Sequence, residues 1–303
     1  MALEIELKFS LCSEAATQLP ALLAKLGYAQ LPGQFMLHNA YFDAYIDTES
    51  DQQTPWFRHH DMGLRSRQKQ GRFEQTLKLA GTQHGALQQR PEYNVPCSGL
   101  LPVLADFPVE VWPADVDIPL LQQQLQQLFN TDFLRQCWLL EVAAGCQLEL
   151  VYDSGLIKTA TAEQPIAELE LELISGPVEP LFELAGQLIQ HLPLRTGWLS
   201  KAARGYLLAG VNQLTPSYQV PSTLSAQVRA LQHTEACYLY QSEPALLAHC
   251  QLLLQALLPS LTAECQRLAE ECLQQLAVSG AAVFSAKAYN LLLLRLARQL
   301  RAA

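Results

Sequence analysis

The chain begins with the stretch Ala2-Leu-Glu-Ile-Glu-Leu-Lys-Phe-Ser10, in which charged and apolar residues alternate from Leu3 onward. This period of two is typical of a β-strand, where side chains two apart share a face and lie about 7 Å from each other. Glu4, Glu6 and Lys8 therefore lie on one face, and the apolar residues between them lie on the other. A solvated outer face of an antiparallel sheet would explain this pattern in any single strand.

Charged residues occupy one face of several further predicted strands. Successive glutamates on one strand face repel one another, and a solvated surface has no need of them. Arginine has a planar fork of donors that matches phosphate oxygens in a bidentate manner. We therefore favour a charged barrel interior that holds an anion and a hard divalent metal, since carboxylate oxygens suit Mg²⁺ or Mn²⁺ better than zinc. The charged faces are Arg65, Arg67 and Lys69; Glu74, Thr76 and Lys78; Arg90 and Glu92; and Glu168, Glu170 and Glu172.

The first two thirds of the sequence predict an α+β fold. About eight strands in one domain favour a barrel or a strongly curved antiparallel sheet, flanked by a few helices. A charged interior inverts the usual alternation, so the apolar strand faces would pack against outer helices. Period-two patterns predict strands near 2–10, 39–46, 57–69, 73–80, 87–95, 133–144, 147–153 and 166–174. Helical periodicity predicts helices near 14–26, 119–129 and 178–191.

A change of pattern marks the C-terminal part of the chain. The segment Leu214–Ser222 carries two prolines and few core candidates, so we interpret it as a linker. Beyond it, apolar residues at three- and four-residue spacing predict a small all-α segment. Its helices are expected at 224–241, 244–258, 259–277 and 281–301. The predicted organisation is a first domain at 1–212, a linker at 213–222 and a helical segment at 223–303.

Composition narrows the classes of function. Half of the residues are hydrophobic, which provides for a full core and argues against wholesale disorder. The net charge of −9 argues against nonspecific nucleic-acid binding. No apolar stretch of about 18 residues predicts a membrane span. We therefore expect a cytoplasmic protein with neither nucleic acid nor a membrane as its partner.

The stretch Glu4-Ile-Glu-Leu-Lys8 matches the E-x-E-x-K signature of the CYTH superfamily, the triphosphate tunnel metalloenzymes. Further motifs follow in the order of that family through the first two thirds of the chain. Within the superfamily, the chain most resembles bacterial inorganic triphosphatases in which a CYTH domain precedes a CHAD domain. The further motifs are Asn39-Ala-Tyr-Phe-Asp43, Gly63-Leu-Arg-Ser-Arg67, Thr76-Leu-Lys78, Gln89-Arg-Pro-Glu92, Arg135, Asp153 with Gly155 and Lys158, Glu168-Leu-Glu170, and Ser200-Lys-Ala-Ala-Arg-Gly-Tyr206.

The resemblance implies a tunnel of eight antiparallel strands that hydrolyses triphosphate to diphosphate and phosphate with Mg²⁺ or Mn²⁺. The substrate would be inorganic triphosphate or a short polyphosphate. The implied catalytic residues are Glu4, Glu6, Lys8 and Glu92, and the implied metal ligands are Glu4, Glu6, Asp153, Glu168, Glu170 and Glu172. The implied substrate-binding residues are Lys8, Arg65, Arg67, Lys78, Arg90, Arg135, Lys158, Lys201 and Arg204.

Other interpretations stay open at the level of the sequence. The same superfamily includes nucleoside and thiamine triphosphatases and adenylate cyclases, and a non-catalytic polyphosphate-binding module would share the cations. The carboxylate set argues against a pure anion binder, which gains little from it. The C-terminal segment holds only two histidines and one lysine, fewer than its CHAD resemblance implies. A structural role or a homodimer contact through these helices is therefore favoured over polyphosphate binding.

Overall fold

A computed structural model describes residues 2–28, 31–47 and 53–302 of the chain. The strands are β1 (Ala2–Ser10), β2 (Gly33–Asp47), β3 (Gln53–Pro55), β4 (Gly63–Lys69), β5 (Arg72–Lys78), β6 (Thr82–His84), β7 (Leu87–Cys97), β8 (Leu125–Ala143), β9 (Cys146–Lys158), β10 (Glu163–Ser175) and β11 (Arg195–Thr196). The α-helices are α1 (Ser13–Ala16), α2 (Leu19–Lys25), α3 (Trp56–His59), α4 (Ile118–Gln123), α5 (Glu179–His191), α6 (Lys201–Leu208), α7 (Leu224–Gln241), α8 (Pro244–Leu257), α9 (Ala263–Ser279) and α10 (Lys287–Ala302). Short 3₁₀ helices lie at Leu104–Asp106, Val109–Val111, Leu258–Ser260 and Gly280–Ser285.

Eight of the strands close into an antiparallel barrel. Their order around it is β1, β10, β9, β8, β2, β4, β5 and β7, and β7 pairs with β1 again to complete the ring. The remaining three strands are short and pair at the outside, β11 with β1, β6 with β7 and β3 with β2. The predicted fold, an eight-stranded antiparallel tunnel with flanking helices and a helical C-terminal segment, is confirmed.

The alternation along the barrel strands is inverted, as predicted. Leu7 and Phe9 of β1 and Leu171 of β10 are fully buried on the outer face of the barrel, in a core shared with α1, α2 and α5. Leu19 of α2 and Leu188 of α5 pack into the same core. Burial of these side chains is worth about 1.5–3 kcal/mol each, so the helices direct the charged faces of the strands inward.

The prediction of a helix over 119–129 is wrong beyond its first turns. Asp117 caps α4 by accepting a hydrogen bond from the Leu120 amide at 2.9 Å, and the helix ends at Gln123. From Leu125 onward the chain is strand β8, whose main chain pairs with β2 from Leu125 to Cys137, with one shift of register between Gln127 and Phe129. Pairing along a central strand outweighs the local helical spacing of the leucines and glutamines.

The predicted strand over 57–69 also begins later than expected. Residues 56–59 form α3, and β4 starts at Gly63. The buried carboxylate of Asp43 holds this turn, because it accepts hydrogen bonds from the backbone amides of Phe57 at 2.7 Å and Arg58 at 3.1 Å. A distant residue therefore provides the N-terminal cap that local pattern alone does not reveal.

The C-terminal segment contains four α-helices that enclose a core of their own. Residues 213–221 between α6 and α7 have no regular secondary structure, and the domain limits drawn there stay a prediction. Helix α10 also contacts the barrel side, because Leu294 and Ala297 join the core that contains α5. Across the described ranges, no single helix is long and apolar enough to cross a membrane. One consecutive pair, Ala263–Ser285 with Lys287–Arg301, passes that test together but is bent by 68°.

Candidate functional site

The barrel interior holds a cavity of about 590 Å³ whose wall is mainly charged. The inward residues of neighbouring strands meet in register, so the wall is built from cross-strand pairs. Glu6 lies opposite Glu172, Lys8 opposite Glu170, and Lys78 opposite Glu92. The predicted site residues that line the cavity are Glu4, Glu6, Lys8, Arg65, Arg67, Lys78, Arg90, Glu92, Arg135, Glu170, Glu172 and Lys201.

One wall of the cavity carries Arg65 and Arg67. Burial lowers the pKa of Arg65, but Tyr41 and the carboxylates of Glu92 and Glu4 raise it by more. Within the described ranges, no carboxylate oxygen lies within 4 Å of the guanidinium of Arg65 or Arg67. The Arg67 Nε donates to Asn39 Oδ1 at 2.7 Å, which fixes the side chain but leaves its charge uncompensated. Burial, together with the like charges of Arg65 and Arg135, lowers the pKa of Arg67 to about 9. Such a wall attracts an anion, because an anion supplies the missing negative charge.

The pKa of the Tyr41 phenol reflects the positive charge of Arg65 and Arg67. Its ring lies against the cavity, with its backbone opposite Arg65 in the β2–β4 ladder. Burial alone would raise the pKa of this phenol, but Arg65 and Arg67 lower it by more. Two positive groups therefore act on a side chain that ordinarily stays neutral.

The opposite wall gathers carboxylates. Burial and the neighbouring carboxylates, led by Glu4 and Glu6, together raise the pKa of Glu172 to about 8. Burial also raises the pKa of Glu6, against the lowering effect of the Lys8 ammonium. Carboxylates that oppose one another's ionisation need protons or a cation nearby. This wall is therefore where a cation would be held.

Two lysines form ion pairs with carboxylates of the acidic wall. Lys8 contacts Glu6 and lies 3.3 Å from Glu170, while Lys78 contacts Glu4. Burial lowers the pKa of Lys8, but the carboxylates of Glu170, Glu6 and Glu4 raise it by more, so the ammonium stays charged. Each lysine thus neutralises a carboxylate that the sequence analysis assigned to a metal.

Lys201 lies at the centre of a second set of ion pairs. Ser200 caps α6 by accepting a hydrogen bond from the Ala203 amide, which places Lys201 at the first position of the helix. Its ammonium lies 2.9 Å from Asp153 Oδ2, 2.6 Å from Glu168 Oε2 and 2.8 Å from Glu170 Oε1. Burial lowers the pKa of Lys201, but these three carboxylates raise it well above its ordinary value. The position of this cation is therefore strongly determined.

Asp153 lies behind the cavity wall rather than in it. Its side chain is fully buried and accepts two hydrogen bonds from the Arg135 guanidinium, at 2.8 and 2.7 Å. Arg135 also contacts Glu170 at 3.2 Å. This bidentate pair fixes the Arg135 guanidinium at the edge of the cavity.

Four further predicted residues also lie off the cavity wall or point away from it. Glu168 pairs with Arg204 and Lys201, and neither it nor Arg204 lines the cavity. Lys158 is the last residue of β9, half-buried, and does not line the cavity either. Arg90 does line it, but its guanidinium donates to the backbone carbonyls of Leu79 and Asp61.

Sequence reasoning did not assign several residues that line the cavity. Lys69 was predicted to share the charged inward face of Arg67 but was given no role in the site, whereas Glu149 was not singled out although it shares a strand face with Asp153. Lys69 lies over the ring of Phe35, with 4.0 Å between its Nζ and the ring centroid. Arg58 reaches the cavity from α3, outside the barrel, and no strand pattern could have indicated it.

The donor set of the acidic wall fits a hard divalent cation in its chemistry. Glu4, Glu6 and Glu172 offer oxygen ligands, and the raised pKa of Glu172 records a local excess of negative charge. Among the described residues, no three His, Cys, Asp or Glu side chains already converge as a ligand sphere. Binding would therefore require Glu4 and Glu6 to exchange their lysine contacts for the cation.

Comparison with known proteins places this architecture in a family. The model of the CYTH domain matches residues 2–206. A curated inorganic triphosphatase from Haemophilus influenzae is 36% identical over 220 residues, which are 71% of this chain and 57% of that protein. The chain thus spans little more than half the length of this relative.

Likeness to solved structures is weaker. A Hippeastrum protein described as revealing a dominant triphosphatase activity is 16% identical, with a TM-score of 0.47 over 68% of this chain and 96% of that one. The inorganic triphosphatase NE1496 is 17% identical, with a TM-score of 0.23 over 59% of this chain and 78% of that one. These scores add no support of their own. The family model covers about two thirds of the chain, and on that ground the chain belongs to the CYTH domain family.

Proposed function

We propose that this chain hydrolyses inorganic triphosphate to diphosphate and phosphate inside the barrel, with a divalent metal. One observation carries the proposal: a wall with two arginines, Arg65 and the uncompensated Arg67, faces a wall of mutually repelling carboxylates across one cavity. Triphosphate carries about four to five negative charges near neutrality, and phosphoryl transfer depends mainly on positioning and charge neutralisation. A cationic wall for the substrate and an acidic wall for a metal meet both needs.

The family supports the choice of substrate. The Haemophilus influenzae relative is named an inorganic triphosphatase, and its identity to this chain extends over 220 residues. Within the described ranges, the cavity wall consists mainly of charged and amide side chains. We therefore assign the bare triphosphate rather than a nucleotide as substrate. Short polyphosphate has the same repeating anion and is included in the proposal.

The metal would be held by Glu4, Glu6 and Glu172, and Mg²⁺ or Mn²⁺ suits their oxygens. When bound, it would supply positive charge to the phosphate oxygens and help to orient the attacking water. Glu170 belongs to the ion pairs of Lys201 and Arg135, so we assign it to holding those cations. Asp153 and Glu168 have the same supporting role in this proposal.

The cations of the chain would position the substrate. Arg65 and Arg67 bind phosphate oxygens from one side, and both are held by neighbours on the barrel strands. Arg135, fixed in a bidentate pair by Asp153, offers its remaining donors to the cavity. Lys8 and Lys78, which contact Glu6 and Glu4, would become available to the phosphates if these carboxylates held the metal instead. Charge thus stays balanced as ligands enter.

Phosphate release tests the proposal directly. The purified chain is assayed with inorganic triphosphate, ATP and thiamine triphosphate, each with Mg²⁺, with Mn²⁺ and with EDTA. We expect fastest release from inorganic triphosphate and none with EDTA. Glu6→Gln should lower kcat/KM by about 10²–10³, because a ligand to the metal is removed.

Glu163→Gln is the matched control, because Glu163 is exposed at the start of β10 and lies away from the cavity. It should keep the parent rate. Equal rates for the parent and Glu6→Gln would remove the metal-ligand assignment. A cyclic product from ATP would move the assignment to a cyclase, and triphosphate binding without phosphate release would indicate a binding module. The cytoplasmic location, the homodimer and the CHAD-like nature of the C-terminal helices stay predictions.

A further inference from the structure

The short segment Arg195–Lys201, here called the strap, lies between the barrel and the C-terminal helices. It contains β11 and leads directly into α6. On its barrel side, β11 pairs with β1, and the Gly197 amide donates to the carbonyl oxygen of Lys8 at 2.9 Å. Trp198 and Lys201, further along the strap, line the cavity. The strap thus carries one of the cavity's best-determined cations.

The strap has little regular structure to hold it in place. Strand β11 comprises two residues, too few to form a stable strand by themselves. Gln83 of β6 adds one hydrogen bond, from its Nε2 to the carbonyl oxygen of Trp198 at 3.1 Å. Arg195 Nη2 donates a further hydrogen bond to Ser10 Oγ at 3.2 Å, and the ion pairs of Lys201 hold the end of the strap. The C-terminal helices add contacts from the other side.

Asn290 of α10 provides the closest of those contacts. Its Oδ1 accepts hydrogen bonds from the Thr196 backbone amide at 2.6 Å and from the Thr196 hydroxyl at 2.9 Å. Its Nδ2 donates to the carbonyl oxygens of Phe284 at 3.1 Å and Ala286 at 2.9 Å. Asn290 is fully buried, and Thr196 is 2% exposed. Both the oxygen and the nitrogen of the Asn290 amide therefore make two hydrogen bonds each, and together they link the strap to the start of α10.

Helix α7 adds a second set of contacts to the same strap. Glu235 Oε1 lies 3.6 Å from Arg195 Nη1, and Glu235 Oε2 accepts a hydrogen bond from the Tyr289 hydroxyl at 2.9 Å. The ring of His233 packs edge-on against Trp198, with 5.4 Å between the ring centroids. Contacts from two C-terminal helices thus converge on one short stretch of the barrel.

We propose that Asn290 is a positioning residue for the hydrolysis proposed above. By fixing Thr196, it sets the path of the strap and thereby the place of the Lys201 ammonium among Asp153, Glu168 and Glu170. The C-terminal helices then contribute to the active cavity without lining its charged interior. This inference rests on the proposed function where it is tested by kcat/KM. The hydrogen-exchange test of the strap depends on the structure alone.

A double-mutant cycle with Lys201 tests the coupling. Asn290→Leu keeps the branching at Cγ and removes all four hydrogen bonds, and we expect kcat/KM for triphosphate to fall about tenfold, or about 1.4 kcal/mol. In a Lys201→Ala background, the same change should lower kcat/KM by less than about twofold, because the ammonium that Asn290 positions is already absent. Equal losses in both backgrounds would overturn the proposal, since a general loss of stability acts regardless of Lys201.

A second pair of variants keeps the test valid if Asn290→Leu folds poorly. Thr196→Val removes only the hydroxyl hydrogen bond to Asn290, while Thr196→Ser retains it. We expect Thr196→Val to lower kcat/KM by about threefold and Thr196→Ser to restore the parent value. Identical behaviour of these two variants would count against Asn290 as the positioning group.

Hydrogen exchange measures the strap without reference to catalysis. Amides in residues 195–201 should exchange faster in Asn290→Leu than in the parent, and Glu264→Gln should leave them unchanged. Glu264→Gln is the matched control because it breaks an exposed ion pair to Arg295 in the same helical segment, away from the strap. Unchanged exchange in Asn290→Leu would overturn the proposal. A parent chain that releases no phosphate but shows faster exchange in the variant would refute the proposed function and uphold the role of Asn290 in fixing the strap.

Discussion

Arg67→Met should make the protein more stable and a poorer binder of triphosphate. The pKa of Arg67 lies at about 9 in the folded chain, against an ordinary value of 12.5. Because the pKa of Arg67 is lower in the folded chain than in the unfolded one, the buried charge destabilises the fold. This cost is present in full at every pH below about 9. A difference of this size corresponds to at most about 5 kcal/mol. Residual solvent in the cavity and the lost hydrogen bond to Asn39 reduce the expected gain to about 2 kcal/mol.

Urea unfolding at pH 7 measures both effects with and without triphosphate and Mg²⁺. Triphosphate at about a hundred times its Kd should stabilise the parent by about 2.7 kcal/mol. The charged hydrogen bonds that Arg67 would make are worth about 1.5–3 kcal/mol, so Kd should rise about thirtyfold. At the same triphosphate concentration, stabilisation of Arg67→Met should then be about 1 kcal/mol.

Arg72→Met provides the control, because Arg72 is exposed at the start of the neighbouring strand β5. It should change stability by no more than about 0.5 kcal/mol and leave triphosphate binding intact. A ligand-free Arg67→Met that is less stable than Arg72→Met, with an unchanged response to triphosphate, would refute the reasoning. Arg67 would then be an ordinary structural side chain rather than part of an anion site.

Two further predictions concern parts of the fold that support the cavity. Burial raises the pKa of Glu235 to about 7 against the lowering effects of Arg195 and Tyr289, so its protonated form stabilises the fold below pH 4.5 and that contribution is lost as the pH rises through about 7. Urea unfolding should therefore show Glu235→Gln gaining about 3 kcal/mol on the parent between pH 4.5 and pH 8, and a pH-independent difference would contradict this. A Cβ added at Gly205 would lie 2.1 Å from the ring of Phe129, so Gly205→Ala should lower the free energy of unfolding by about 1–3 kcal/mol and weaken triphosphate binding by displacing α6. Gly186→Ala in α5, whose nearest neighbour would be 3.8 Å away, should instead be neutral or stabilising, and equal effects of the two changes would argue against the close packing of α6.

Strand periodicity was a reliable guide to the barrel wall. The strict alternation in β1 and β10 predicted their inward faces, because neighbouring residues of an extended chain must point to opposite sides. The helices at 224–241 and 244–257 were equally readable, since their apolar spacing repeats over several turns. These features depend on residues close together in the chain.

The local spacing of apolar residues predicted the wrong secondary structure where a distant residue determines it. Residues 125–129 have helical spacing but form a strand, because they pair with β2 on both sides of one shift in register. Residues 56–59 form a helical turn because Asp43 caps it. Neither partner is visible in the local sequence, so no local rule could have anticipated the result.

Local pattern is enough to identify the charged residues, the strands that carry them and the face that they share. Their partners depend on the tertiary fold. It separates Asp153 and Glu168, which hold cations behind the wall, from Glu172, which faces other carboxylates across the cavity. It also joins Asn290 to the strap from nearly a hundred residues away. The physical reason is that alternation fixes the side of a strand on which a charge lies, whereas strand order and register fix which charge it meets.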